Sequence, residues 1–362
     1  MDRTYRNSPR LRWAVAVLLA MAGAGSVASS NNASANSTAP STETSLANPG
    51  PSLTVMSYNV EGLPAPVRFG RAASLARIGQ RLALMRSEAR EPDVVMLQEA
   101  FAAPAKEIAQ EAGYRYVASG PSAGAVNADP APASAAGFVA ASSHLKGEGD
   151  GKWADSGLRI LSDYPIVNVE RLAFPAWACA GYDCLANKGV LIAWVEVPGS
   201  REPVAFIDTH LNSRAASGVA KERADTAYAF QVTALRKFIA QNLPSGADAL
   251  LGGDFNSGGA SIRRAELKQT PLARGRNSLL DALAGPRTIP QDERGASQAI
   301  LSRGKDWLFY RGSPSQPIAL TGFEVPFGEE ADGTMLSDHM GYEAHYRIGA
   351  DRPKRPYLAG GV

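Results

Sequence analysis

The chain has 362 residues, 45% hydrophobic and 20% charged, with 37 basic against 35 acidic side chains for a net charge of +2. That length and apolar content allow a core of ordinary size, in one domain of about 250–300 residues or in two smaller ones. The near balance of charge is too mild to demand a nucleic-acid partner and does not forbid one.

The first stretch has the form of an export signal. Arg3, Arg6, Arg10 and Arg12 are followed by a short apolar run, Trp13 to Met21, and then by small residues through Ala28. The run falls short of the ~18–20 residues that span a bilayer. Residues 1–35 are therefore expected to be a cleaved signal peptide, with Ala33-Ser34-Ala35 as one cleavage site and Val27-Ala28-Ser29 as another. Residues 36–52, rich in Ser, Thr, Asn, Ala and Pro, are expected to form a disordered linker. A catalytic domain is expected over 53–350 and a tail over 351–362. The expected location is secreted or periplasmic. In such a compartment the two cysteines, Cys179 and Cys184, are candidates for a small disulfide loop, with free thiols as the alternative.

Leu53 to Val60 alternates and then runs apolar, as a first strand does, and Leu63-Pro64-Ala65-Pro66 breaks it. Leu75, Ile78, Leu82 and Met85 recur at helical spacing until Pro92. Asp93 to Leu97 is a short apolar strand running into Gln98-Glu99, so a βαβ unit is expected with Asn59 and Glu99 at strand ends. Residues 121–136, small and Pro-rich, are expected to be loop, as are 149–153. Strands follow at 157–162, 164–167, 190–197 and 204–208, the last two joined by the turn at Pro198-Gly199. The spacing of Tyr228, Val232, Leu235 and Ile239 predicts a helix over 221–240. Strands at 248–253, 305–310 and 342–346 complete the chain. With strands outnumbering helices, mixed sheets packed face to face with helices outside are expected.

Polar clusters close these apolar runs: Asn59 with Glu61, Gln98-Glu99, His210 with Asn212, Asp254 with Asn256, and Ser337-Asp338-His339, while Asp306 precedes Trp307-Leu308-Phe309. Asp and Asn favour turns, so any one cluster has a structural explanation. Turn chemistry does not account for all of them. Oxygen donors dominate, which suits Mg²⁺ with retained waters and a substrate phosphate, and Mn²⁺ or Co²⁺ as substitutes. Zinc would need more Cys or His than the chain places together. A hard cation, acids and two histidines suit phosphate-ester hydrolysis, with a histidine deprotonating water.

The motifs S-Y-N-V at 57–60, L-Q-E at 97–99, G-L-R-I-L-S-D-Y-P-I at 157–166, D-T-H-L-N at 208–212, G-G-D-F-N at 252–256, D-W-L at 306–308 and S-D-H at 337–339 occur in the order found in the endonuclease/exonuclease/phosphatase superfamily. The chain resembles that superfamily over residues 53–347. Within it the chain looks most like the secreted bacterial neutral sphingomyelinases, through C-A-G-Y-D-C-L-A-N-K-G-V at 179–190. The resemblance implies a DNase I-like α/β fold, a four-layer α/β/β/α sandwich of two mixed sheets. It implies His339 as general base oriented by Asp306, with Asp254 and Asn256 positioning water and phosphate and His210 assisting the leaving group. Glu99, with Asn59 and Asp338, would hold the metal. Asn212 would contact phosphate, and Asp183 and Lys188 would shape the head-group site. The implied reaction cleaves sphingomyelin to ceramide and phosphocholine.

Three departures stand out. Met340-Gly341 follows S-D-H where the family usually has Pro, Glu61 takes a neutral residue's place as in the nucleases, and the second cysteine is displaced. The long aromatic hairpin of haemolytic members is missing, leaving Phe174, Trp177 and Tyr182 as core or as membrane-interface residues. The expected partner is a phospholipid head group at a membrane surface, met by a monomer. Nucleic acid is the alternative, with Arg214, Lys221, Arg223, Arg263, Arg264 and Arg303 as candidate contacts for a secreted endonuclease. A sugar-phosphate or inositol phosphatase is the weaker third reading.

Overall fold

Alternation along the strands explains the architecture. In β1 (Ser52–Asn59), Leu53 and Val55 face one core while Met56 and Tyr58 face another. Side chains on a strand point to opposite faces in turn, so a strand apolar on both faces must be covered on both. The computed structural model describes residues 51–65, 67–268, 294–313 and 316–349. The expected signal peptide, the linker up to residue 50 and the C-terminal tail lie outside them. Ser52, assigned from sequence to the linker, opens β1 instead.

One sheet has the order β10-β11-β1-β2-β4-β3, with β2 (Val94–Gln98), β3 (Tyr116–Ser119), β4 (Arg159–Ser162), β10 (Ile318–Phe327) and β11 (Gly341–Ile348). The other runs β5-β6-β7-β8-β9, with β5 (Ile166–Ala173), β6 (Gly189–Val195), β7 (Val204–His210), β8 (Ala249–Asp254) and β9 (Asp306–Arg311). β1 and β2 are parallel, as are β7 and β8, and the remaining pairs are antiparallel. Both sheets are therefore mixed.

Val55, Met96 and Ile160 of the first sheet meet Leu191, Phe206, Leu250 and Leu308 of the second in the central core. On the outer face of the first sheet, α1 (Arg71–Ser87) and α2 (Ala103–Glu111) bury Leu75, Ile78, Leu82 and Ile108. On the outer face of the second, Tyr228, Val232, Leu235 and Ile239 of α4 (Lys221–Asn242) pack against Ile207 and Leu251. The result is the expected α/β/β/α sandwich with the expected βαβ unit.

The loop expected over 121–136 gives way at its end to a 3₁₀ turn at Ala133–Ala135 and to α3 (Ala136–Ala140). Three further helices, α2, α5 (Ser261–Lys268) and α6 (Arg294–Arg303), and the strands β3 and β10 were not anticipated. No helix among the described residues is long and apolar enough to cross a membrane.

Candidate active site

The same alternation that builds the central core places the polar clusters. Val55 faces the other sheet, so Ser57 and Asn59 do too. Met96 brings Gln98 with it, Phe206 brings Asp208 and His210, Leu250 brings Asp254, and Leu308 brings Asp306. The inner faces are apolar along most of their length and turn polar at one end of the sandwich. β7 and β8 run parallel, so His210 and Asp254 end side by side, and Asp306, at the start of antiparallel β9, pairs with Asp254.

Strict alternation would turn Glu99 outward. It instead adopts φ 57°, and Glu61 and Asn256, each two residues beyond a strand-end Asn59 or Asp254, adopt φ 49° and 47°. Left-handed backbone in such residues is unfavourable, and it clusters where side chains must be re-aimed. Here it bends Glu99 and Asn256 into the gap between the sheets.

Two contacts sew the sheets together beneath the site. Gln98 Nε2 donates to Asp208 Oδ1 at 2.7 Å, and Asn59 Nδ2 donates to Asp254 Oδ2 at 3.0 Å. Asn59 Nδ2 also donates to Glu99 Oε1 at 2.9 Å. His210 Nε2 stands 3.5 Å from Asp254 Oδ2 and 3.9 Å from Glu99 Oε1. The S-D-H turn is tied in by Ser337 Oγ, which donates to the Asn59 carbonyl at 2.6 Å. Both oxygens of Asp306 face His339 Nδ1, at 2.8 and 2.9 Å, and leave Nε2 on the side of Asp254 Oδ2, 3.6 Å away.

Electrostatics divide the two imidazoles. Burial pulls His339 down, but Asp306 and then Asp254 outweigh it and push the ring up to about 9. Burial holds His210 well below the usual imidazole range, reinforced by the Lys188 ammonium and by His339. Burial also lifts Glu99 to about 7, helped by Asp338, and raises Asp254. Two carboxylates thus share a buried space that disfavours their charge.

A bound cation would remove that penalty. Ligand atoms of Glu99, His210 and Asp254 lie within 4.8 Å of one another. The carboxylates of Glu99 and Asp254 are oxygen donors that fit a hard divalent ion. Asn59 shows them its Nδ2 while its Oδ1 accepts from the Glu61 amide at 3.0 Å, so ligation by Asn59 would require its amide to turn over. Asp338 stands at the rim, its side chain 56% exposed and its Oδ1 4.0 Å from His339 Nε2.

The 179–190 loop meets this cluster from the other side. Cys179 and Cys184 are bonded as a disulfide. Lys188 Nζ lies 3.1 Å from Asp183 Oδ2, 3.0 Å from His210 Nε2 and 3.1 Å from the Leu211 carbonyl. An ammonium has three donors, and these partners use all of them. Asp183 also accepts from the Ser213 amide. The pair is a buried strut behind His210, and it presents no free charge to the cleft. Asn212 is likewise built into the loop: its Oδ1 accepts from the Ala180 amide at 2.9 Å and its Nδ2 donates to the Ser213 carbonyl at 2.8 Å. Asn256 Nδ2 donates to the Leu211 carbonyl at 3.0 Å, and its backbone amide donates to Asp254 Oδ1 at 2.8 Å. Substituting Lys188 by Met is accordingly expected to lower kcat by about 10–100-fold on a soluble phosphodiester as well as on lipid. Loss on lipid alone would mean that Lys188 contacts the head group instead of bracing His210.

Several assignments change on inspection. Glu61 is paired to Arg68 and Arg71, at 2.7 and 3.3 Å, so guanidinium groups already neutralise it. Phe174 is core. Trp177 is partly buried against Phe230 with its Nε1 donating to the Asp129 carbonyl, and Lys146 covers the ring of Tyr182. Lys305 was missed: its Nζ lies 3.5 Å from His339 Nε2. The one sequence signal was its place beside Asp306, which a solvated lysine would share.

The sequence matches the Endonuclease/Exonuclease/phosphatase family over residues 56–339. No curated protein matches it. Among solved structures it is similar to beta toxin from Staphylococcus aureus, with TM-score 0.54 and 19% identity, covering 81% of this chain and 99% of that one. A beta toxin mutant with bound magnesium ions gives TM-score 0.54 at 18% identity, covering 81% and 99%. Sphingomyelinase C from Streptomyces griseocarneus gives TM-score 0.53 at 21% identity, covering 82% and 99%. TDP2 from D. rerio, in complex with single strand DNA product, gives TM-score 0.51 at 16% identity, covering 82% and 98%. At these identities the likeness is one of fold.

Proposed function

The chain belongs to the endonuclease/exonuclease/phosphatase family, whose members are hydrolases of phosphate esters, and from that membership we propose that it is a secreted, magnesium-dependent phosphodiesterase that cleaves sphingomyelin into ceramide and phosphocholine. The observation that carries the hydrolytic reading is the carboxylate-held His339 facing the Glu99, Asn59 and Asp254 pocket across one cleft. The lipid reading rests on the disulfide-closed 179–190 loop braced against His210, and on the likeness to sphingomyelinase C.

In this mechanism Asp306 accepts the Nδ1 proton of His339 and fixes the ring. Drawn down from about 9 by the positive charge of a cation bound beside Asp254, the ring would have Nε2 free to take a proton from the attacking water. Asp254 and Asn256 orient that water and the phosphate for in-line attack. Glu99 and Asn59, with Asp338 at the rim, would hold Mg²⁺, or Mn²⁺ or Co²⁺ in its place. When bound, the cation supplies positive charge that stabilises the phosphate as negative charge accumulates. His210 stays neutral, its Nε2 held by the Lys188 strut on the side of the leaving oxygen.

A nuclease of the same fold is the second reading, favoured by the likeness to TDP2. Five of the six candidate basic residues weigh against it, Lys221 being exposed at the start of α4. Arg214 and Arg263 both pair with Asp225, Arg223 pairs with Glu148, Arg264 donates to the Gly258 carbonyl and Arg303 to that of Asp338. Cations spent on internal partners have little left for a phosphate backbone. The test is a parallel assay of sphingomyelin, phosphatidylcholine and plasmid DNA with Mg²⁺ and with EDTA. Sphingomyelin is expected to turn over fastest and to stop turning over in EDTA. Nicked plasmid beside intact lipid would replace this reading with the nuclease.

A further inference from the structure

A second cluster of metal-binding character lies on the helix-facing side of the first sheet. Thr54 pairs with His345 across β1 and β11, five residues back from Asn59 and so roughly 17 Å along the strand from the cleft. Met56, opposite Glu343, belongs to the core beneath α1 and α2, which places Glu343 and His345 on that face. On the other side of β11, Glu324 of β10 stands directly opposite Glu343.

Three features of this cluster do not suit an ordinary surface. First, like charges directly opposite each other in a sheet are destabilising. Arg90, the basic side chain that acts on Glu343 from beyond the end of α1, is itself paired with Glu88. Second, Glu343 is only 2% exposed, and its buried Oε2 has no hydrogen-bond partner, nor has the buried Nε2 of His345. A buried carboxylate oxygen without a partner is costly. Third, His345 Nε2 lies 3.7 Å from Glu324 Oε1 and 3.7 Å from Glu343 Oε1. Those separations are too long for hydrogen bonds. They approach the ~3.4 Å between two ligand atoms held ~2.1 Å from one tetrahedral ion.

The surroundings orient the ring for such a role. His345 Nδ1 lies 3.1 Å from Thr54 Oγ1, so an outer hydrogen bond fixes one nitrogen and leaves Nε2 directed at the carboxylates. Opposite His345 stands Gly322, next to a break in the β10 register, and a Cβ there would come within 3.0 Å of the imidazole Cδ2. The glycine leaves the ring space to lie across β10, and the bulge re-aims the local backbone.

We propose that Glu324, Glu343 and His345 form a second metal site, for a first-row transition cation such as Co²⁺ or Mn²⁺, which clasps β10 to β11 away from the cleft. The imidazole donor selects against Mg²⁺, while the two carboxylates and single nitrogen suit a cation less demanding of Cys or His than zinc. Glu324 is 49% and His345 30% exposed, so water can complete the coordination from the open side.

Full-length protein stripped with EDTA and titrated with Co²⁺, followed by calorimetry and visible absorption, tests the site. In a Glu99→Gln background, which weakens the cleft, Co²⁺ uptake at one equivalent is expected. His345→Gln in that background should abolish it, and Glu324→Gln should weaken it at least about tenfold. His345→Gln in the parent chain should leave Mg²⁺-dependent hydrolysis intact. If His345→Gln fails to fold by circular dichroism, Glu324→Gln, at a half-exposed position, decides alone. No Co²⁺ uptake in the Glu99→Gln protein, or unchanged uptake in the doubly substituted ones, overturns the proposal.

Discussion

His339→Ala is expected to lower kcat by about 10²–10⁴-fold with KM changed only a few-fold. The ring lies 4% exposed at the junction of the sheets, with Nδ1 committed to Asp306 and Nε2 facing Asp254. Its removal takes away the proton acceptor and leaves the remaining cleft groups in place. Asp306→Asn should come close to the same loss, because an amide can present a donor to Nδ1 and so favour the wrong tautomer. Steady-state kinetics on a soluble phosphodiester would measure both. A kcat within tenfold of the parent for His339→Ala would remove this residue from the role of base.

Glu99→Gln should abolish magnesium-dependent hydrolysis, a loss on the order of 10³-fold or more, and yet stabilise the metal-free protein. Burial and then Asp338 lift the Glu99 carboxyl from 4.5 to about 7. A carboxyl with a raised folded pKa binds its proton more tightly in the folded chain, so stability falls as pH rises through roughly 4.5 to 7 and stays low above it. Glutamine keeps an oxygen for the Asn59 donor and carries no charge. At pH 8 in EDTA the variant should be more stable than the parent by about 1–3 kcal/mol, and the gap should close near pH 4.5. Added Mg²⁺ should raise the Tm of the parent and not of the variant. Calorimetry showing the variant less stable at pH 8, or equally stabilised by Mg²⁺, would mean that Glu99 is not the ligand under strain.

Much of this geometry was readable in advance because strand alternation is rigid. Once Val55, Met96, Phe206, Leu250 and Leu308 are recognised as facing one core, Asn59, Gln98, His210, Asp254 and Asp306 must share its polar end. What escaped depended on interactions that a linear pattern does not carry. β10 contains Gly322 and Pro326 and shifts register twice, so its alternation is interrupted. α2 is only nine residues, opens at Ala103-Pro104 and buries just Ala105, Ile108 and Ala109, which leaves little apolar periodicity. The bracing role of Lys188 and the neutralisation of Glu61 depend on Leu211, His210, Arg68 and Arg71, partners that only the folded chain brings within reach. Phe174 could not be assigned to core from its neighbours, because the cluster it joins is drawn from β6 to β9 and α4.

β1 takes β11 as its neighbour on one side, and the Ser337 hydroxyl reaches an Asn59 carbonyl 278 positions earlier. During synthesis, therefore, β1 must wait for a segment 278 positions downstream to leave the ribosome. Until then one edge of β1 is available to any other extended chain. No product ending before residue 337 can contain the complete cleft, so the site cannot assemble until that distant turn has been made.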